Sequence, residues 1–102
     1  MKLKQGDLKM FVGICQLSLI LPEGSSLKDK RSVIRSLLER LRRRFNISVA
    51  EVGRQDSLRR AEIGFAAVSN ETTYLERLMH KVVSHIELDG CVEIENINKE
   101  IL

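Results

Sequence analysis

Residues 26–45, Ser-Leu-Lys-Asp-Lys-Arg-Ser-Val-Ile-Arg-Ser-Leu-Leu-Glu-Arg-Leu-Arg-Arg-Arg-Phe, constrain this chain more than any other stretch. Leu27, Ile34, Leu37, Leu38, Leu41 and Phe45 recur at helical spacing, which predicts a helix with one apolar stripe against a core. Ser26 and Asp29, three residues apart, have the spacing of a capping box at its start. Lys28, Arg31, Arg35, Glu39 and Arg42 fall within about 80° of arc beside the stripe, at about 100° per residue. Eight Lys or Arg against two acids give residues 27–45 a charge of +6. One element therefore carries both a core face and a concentrated cationic surface.

A chain of 102 residues fits one domain, with 43% hydrophobic and 30% charged residues in the range of a folded soluble protein. No apolar run approaches the length of a membrane helix, and Gln16 and Ser18 interrupt the one segment that could pass for a secretory signal. These features predict a cytoplasmic protein with no membrane segment. Cys15 and Cys91 lie in segments expected to be strands and have neither metal nor redox spacing. They are expected to be small buried hydrophobes at opposite strand ends, unbridged.

The charge is unevenly placed: +1 over residues 1–26, +6 over 27–45, zero over 46–69 and −4 over 70–102. Two accounts fit. Either the acidic third neutralises the basic helix inside the fold, or the basic side meets an anionic partner.

Residues 1–9 show neither helical nor strand periodicity and are expected to be a leader, with residues 10–102 forming the domain. Between Phe11 and Leu21, Cys15, Leu17 and Leu19 alternate with Val12, Ile14, Gln16, Ser18 and Ile20, as in a strand covered at least in part on both faces. Residues 22–25 break it before the helix. Residues 47–52 and 60–69 predict two further strands across a polar turn, with Ile63, Phe65 and Ala67 inward. Asn70 is the expected N-cap of a second helix carrying Leu75, Leu78, Met79, Val82 and Ile86, and Asp89-Gly90 its end. Val92 and Ile94, alternating with Glu93 and Glu95, predict a last strand at a sheet edge. The order βαββαβ, with right-handed crossovers, predicts an α+β ferredoxin-like sandwich: two helices on one face of a four-stranded antiparallel sheet, with the first and third strands central.

Several segments resemble the YlxP-like family of small bacterial proteins. They are Val12-Gly13, Leu17-Ser18-Leu19 with Leu21-Pro22, the Ser26-Leu27-Lys28-Asp29-Lys30-Arg31 opening, and Arg44-Phe45-Asn46 with Ser48-Val49-Ala50-Glu51-Val52. Gln55-Asp56, Arg60-Ala61-Glu62-Ile63-Gly64 and Val68-Ser69-Asn70 extend the match, which covers residues 10–102. The resemblance implies the same fold and, from the family's gene neighbourhood among translation and ribosome-maturation genes, a role near RNA. It implies no catalytic residue.

The candidate phosphate contacts are Lys28, Arg31, Arg35 and Arg42, with Arg43 and Arg54 nearby if the turn folds over; contacts of this kind give salt-sensitive affinity without base choice. Their ordinary alternative is a solvated helix face. Aromatic base stacking on the sheet is not expected: the open face would show Val12, Ile14, Ala66 and Val68, while Phe11 and Phe65 point to the core. Those four apolar residues, with Ile20, Ala50, Val52 and Gly64, instead predict a contact surface, and hence a homodimer. The turn before the first helix could hold a phosphate, but it lacks a glycine-rich pattern and a water-positioning group. His80 and His85 lie about 140° apart on a helix and cannot share a metal. No catalytic constellation, cofactor site or metal site is legible. The expected function is that of a non-enzymatic binding module for RNA or the ribosome; the alternative is a homodimeric protein-interaction module with no nucleic-acid role.

Overall fold

The computed structural model describes residues 9–102; residues 1–8, and with them all of the expected leader except Lys9, lie outside the described residues. The chain runs β1 (Phe11–Ile20), α1 (Leu27–Arg44), β2 (Ser48–Gly53), β3 (Arg60–Ser69), α2 (Thr72–Asp89) and β4 (Glu93–Ile101). The strands form one antiparallel sheet in the order β2-β3-β1-β4, and the arrangement is ferredoxin-like.

The alternation of β1 sets the layers. Cys15 faces Phe65, Leu17 faces Ile63 and Leu19 faces Ala61 across the β1–β3 ladder, all buried against the helices. Successive side chains leave a strand on opposite faces. Val12, Ile14, Gln16 and Ser18 therefore point away from the helix layer, opposite Val68, Ala66, Gly64 and Glu62. The core is closed by Ile34, Leu37 and Leu41 from α1 and by Leu75, Met79, Val82 and Ile86 from α2. Burying each such aliphatic side chain contributes about 1.5–3 kcal/mol before chain entropy is counted.

The helices sit at different places over the sheet. α1 packs on β2, whereas α2 packs on β1, β3 and β4. The basic helix thus lies toward the β2 edge, and the acidic strand β4 forms the opposite edge.

Local boundaries differ from the expectation at three points. Asn70 does not cap α2: the helix starts at Thr72 with Glu71 as N-cap and no side-chain cap bond, while the Glu71 amide donates to Ser69 Oγ at 3.1 Å. Cys91 is neither in a strand nor buried; it is an exposed free thiol before β4, and only Cys15 is interior. β4 reaches to Ile101, far beyond the apolar pair Val92 and Ile94, because the exposed edge residues 96–100 still pair with β1 along the backbone ladder. The end of α2 is as expected, with Gly90 at φ 75°, the left-handed conformation a glycine adopts without a Cβ clash.

Candidate nucleic-acid interface

α1 is fixed at its start by reciprocal bonds. The Asp29 amide donates to Ser26 Oγ at 3.0 Å, and the Ser26 amide donates to Asp29 Oδ2 at 3.1 Å. Accepting that amide bond holds the Asp29 carboxyl below its ordinary pKa. The two amides at the helix start, those of Ser26 and Asp29, are thus engaged by the chain itself rather than open to a phosphate.

Three of the expected cationic residues converge. Arg31, Arg35 and Arg42 are exposed and line one shallow cleft of about 270 Å³ between α1 and β2, together with Ile34, Leu38 and Glu51. Arg42 also donates to the Val49 carbonyl at 2.9 Å, which holds its guanidinium at the β2 edge. Among the described residues, none of Lys28, Arg31, Arg35, Arg42 and Arg43 lies within ion-pair distance of a carboxylate. Lys28 and Arg43 are exposed on the same helix but do not line the cleft. Arg54 is not brought there. Its backbone adopts φ 55° in the turn after β2, and its Nε lies 3.6 Å from Glu62 Oε1, which accepts from Ser18 on the open side of the sheet.

Lys30 is the residue that the charge count misplaced. It is 1% exposed, its Nζ donates to the Arg54 carbonyl at 2.5 Å, and it stands 3.6 Å from Glu51 Oε2. Its position three residues after Leu27 and four before Ile34 puts it inside the apolar stripe, and that spacing was the available signal. Arg40 is likewise engaged, 2.7 Å from Asp89 and 2.5 Å from Ser36 Oγ. That contact is the one ion pair among the described residues that joins α1 to the acidic C-terminal third. Among the described residues, internal ion pairing of the basic helix is therefore limited to Lys30 with Glu51 and Arg40 with Asp89.

On the far side of the sheet, Val12 and Ala66 are half-buried, and Ile14, Val52 and Val68 are 40%, 57% and 61% exposed. Val12 faces Val68 and Ile14 faces Ala66, so the four expected contact residues form one patch. Val52 is the unpaired residue where the β2–β3 register shifts between Glu51 and Gly53. Phe65 is buried and Phe11 packs on the core, so this face carries no aromatic ring from β1 or β3. His80 is exposed, while His85 sits edge-on to Phe45 at 5.7 Å. No group of three metal-ligating side chains occurs among the described residues, and no described helix is long and apolar enough to cross a membrane.

The family model described as protein of unknown function, DUF503, matches residues 12–99. The chain is 36% identical over 84 residues to the uncharacterized protein YlxP of Bacillus subtilis (strain 168), covering 82% of this chain and 89% of that protein. Among solved structures it is similar to the de novo designed protein Foldit4, with a TM-score of 0.51 and 18% identity, covering 90% of this chain and 96% of the design. That similarity concerns fold alone.

Proposed function

The chain belongs to the DUF503 family, and from that premise we propose that it is a non-enzymatic cytoplasmic module that binds RNA, on the ribosome or free, through the outer face of α1. The observation that carries this reading is the convergence of Arg31, Arg35 and Arg42 on one cleft with no carboxylate paired to them among the described residues. Guanidinium groups held on a helix without a direct ion-pair partner suit phosphate oxygens, which they meet in a bidentate fashion, although Glu51 lines the same cleft. Lys28 and Arg43 extend the same cationic surface along the helix. Such contacts select phosphate backbone rather than sequence. Co-sedimentation with ribosomes in graded salt, for wild type and for Arg31→Glu/Arg35→Glu/Arg42→Glu, tests it. Binding that ignores both salt and the triple change would sink the reading.

The alternative is a homodimeric protein-interaction module, favoured by the apolar patch of Ile14, Val52 and Val68 on the uncovered sheet face. On that reading a second copy stacks sheet to sheet, and the basic helix is only a solvated surface. A dimer with no salt-sensitive RNA partner would decide for it.

A further inference from the structure

A further concavity lies on the helix layer, away from both surfaces described above. An open trough of about 730 Å³ runs between the C-terminal end of α1 and the first half of α2, and a second of about 390 Å³ continues it along the same two helices. Arg44, Phe45 and Lys81 line both. Tyr74, Arg77 and Lys81, at spacings of three and four residues, stand in one row on α2. Arg44 comes from the facing helix. No carboxylate lines either stretch, and none of Arg44, Arg77 and Lys81 is ion-paired among the described residues.

Two aromatic rings stand among these cations. Phe45 is held in place, edge-on to His85 at 5.7 Å and with the Arg44 guanidinium 5.8 Å from its centroid. Tyr74 is 41% exposed and lines the larger trough. Converging cations with no internal counter-charge repel one another, and a bound polyanion relieves that repulsion. An acidic peptide would satisfy the charges but leave the exposed ring without a planar partner. Single-stranded nucleic acid supplies both a phosphate backbone and base faces.

We propose that this trough binds single-stranded RNA, with a base stacked on Tyr74 and the adjoining phosphates held by Arg44, Arg77 and Lys81. The proposal rests on the RNA reading above, but it uses a different set of residues from the α1–β2 cleft. The stacking ring missing from the open sheet face is here on the opposite layer of the sandwich.

Tyr74 is the sole tyrosine and the chain has no tryptophan, so intrinsic tyrosine emission reports this position alone. Titration of the full chain with a ten-nucleotide oligouridylate should quench that emission, and a labelled oligouridylate should bind more tightly than an RNA duplex of equal length. Tyr74→Ala should weaken binding by about fivefold or more and Tyr74→Phe by less than about twofold, as expected for a stacking contact. Arg77→Glu/Lys81→Glu should weaken binding and flatten its salt dependence. Thermal melts confirm that each variant is folded. The proposal is overturned if emission is unchanged at saturating oligonucleotide, or if the trough variants bind as wild type does. It is also overturned if poly-glutamate of equal charge binds as tightly. Loss of binding in Arg31→Glu/Arg35→Glu/Arg42→Glu alone would reject the trough while leaving the proposed function intact. Ribosome co-sedimentation without oligonucleotide binding would do the same. Absence of both would reject the two together.

Discussion

The ammonium of Lys30 donates to the carbonyl of Arg54 at 2.5 Å, tying the first turns of α1 to the turn that follows β2. The same ammonium stands 3.6 Å from Glu51, too far for a good hydrogen bond, so the carbonyl is its main partner. The aliphatic stem lies among the apolar residues of α1 while the charged end reaches past them, as long cationic side chains do. The apolar face of α1 is thus anchored at its N-terminal end by a cation, and the exposed arginines project from a helix whose position is fixed.

Lys30→Met should destabilise the fold by about 1–3 kcal/mol, because the apolar stem is kept while a part-buried carbonyl loses its donor. Glu51→Gln should cost less, since its carboxylate makes an ion-pair contact and no hydrogen bond. Urea denaturation of the two single variants and the double measures both, and a larger loss for Glu51→Gln would reverse this assignment.

Ser26→Ala should lower stability by about 1 kcal/mol through loss of the N-cap bond. Asp29 adds a pH dependence of known sign. Its carboxyl pKa is lowered in the fold by the Ser26 amide, so its contribution is present above the ordinary carboxylate pKa and is lost as pH falls through the lowered value. The stability gap between wild type and Asp29→Asn should therefore close on acidification, which thermal melts from neutral pH to about pH 3 would follow.

If RNA is the partner of α1, the logarithm of affinity should fall linearly with the logarithm of salt concentration. Each phosphate contact contributes about 0.7–0.9 to that slope, so Arg31→Glu/Arg35→Glu/Arg42→Glu should flatten it by about two or more. Arg54→Glu should change it little, because that side chain faces Glu62.

A dimer through the open face should scatter light at micromolar concentration with a mass near twice 11.7 kDa. Ala66→Glu, at the centre of the patch and opposite Ile14, should halve that mass. A monomeric mass for wild type throughout would remove the dimer proposal.

The two thiols should differ in reactivity. Cys15 is buried and its pKa is raised chiefly by desolvation; Cys91 is exposed, but a side-chain hydrogen bond with Asp89 raises its pKa as well. A disulfide reagent at neutral pH should modify one thiol in the native protein, slowly, and two after unfolding. Asp89→Asn should speed the native reaction.

Much of the candidate site is legible from the chain. The angular clustering of Arg31, Arg35 and Arg42 follows from helical geometry, and the cleft they share is consistent with it. Arg54 illustrates the limit. Its nearness to α1 along the backbone is real, yet the left-handed turn sends its guanidinium to the other side of the sheet. Tyr74, Arg77 and Lys81 show no more in sequence than a helix surface, because the trough exists only where Arg44 and Phe45 face them from a second helix.

Periodicity determined the order of the six elements and their inward faces, and local cap and turn residues determined the start of α1 and the glycine that ends α2. Those depend on steric and hydrogen-bonding rules acting within a few residues. Tertiary structure alone decided that Cys91 is exposed and that the Lys30 ammonium ends on the Arg54 carbonyl of a distant turn. It also decided which cations meet a carboxylate and which are left facing water. Each of those outcomes depends on groups from separate segments arriving within a few ångströms of one another, which no spacing along a single segment encodes.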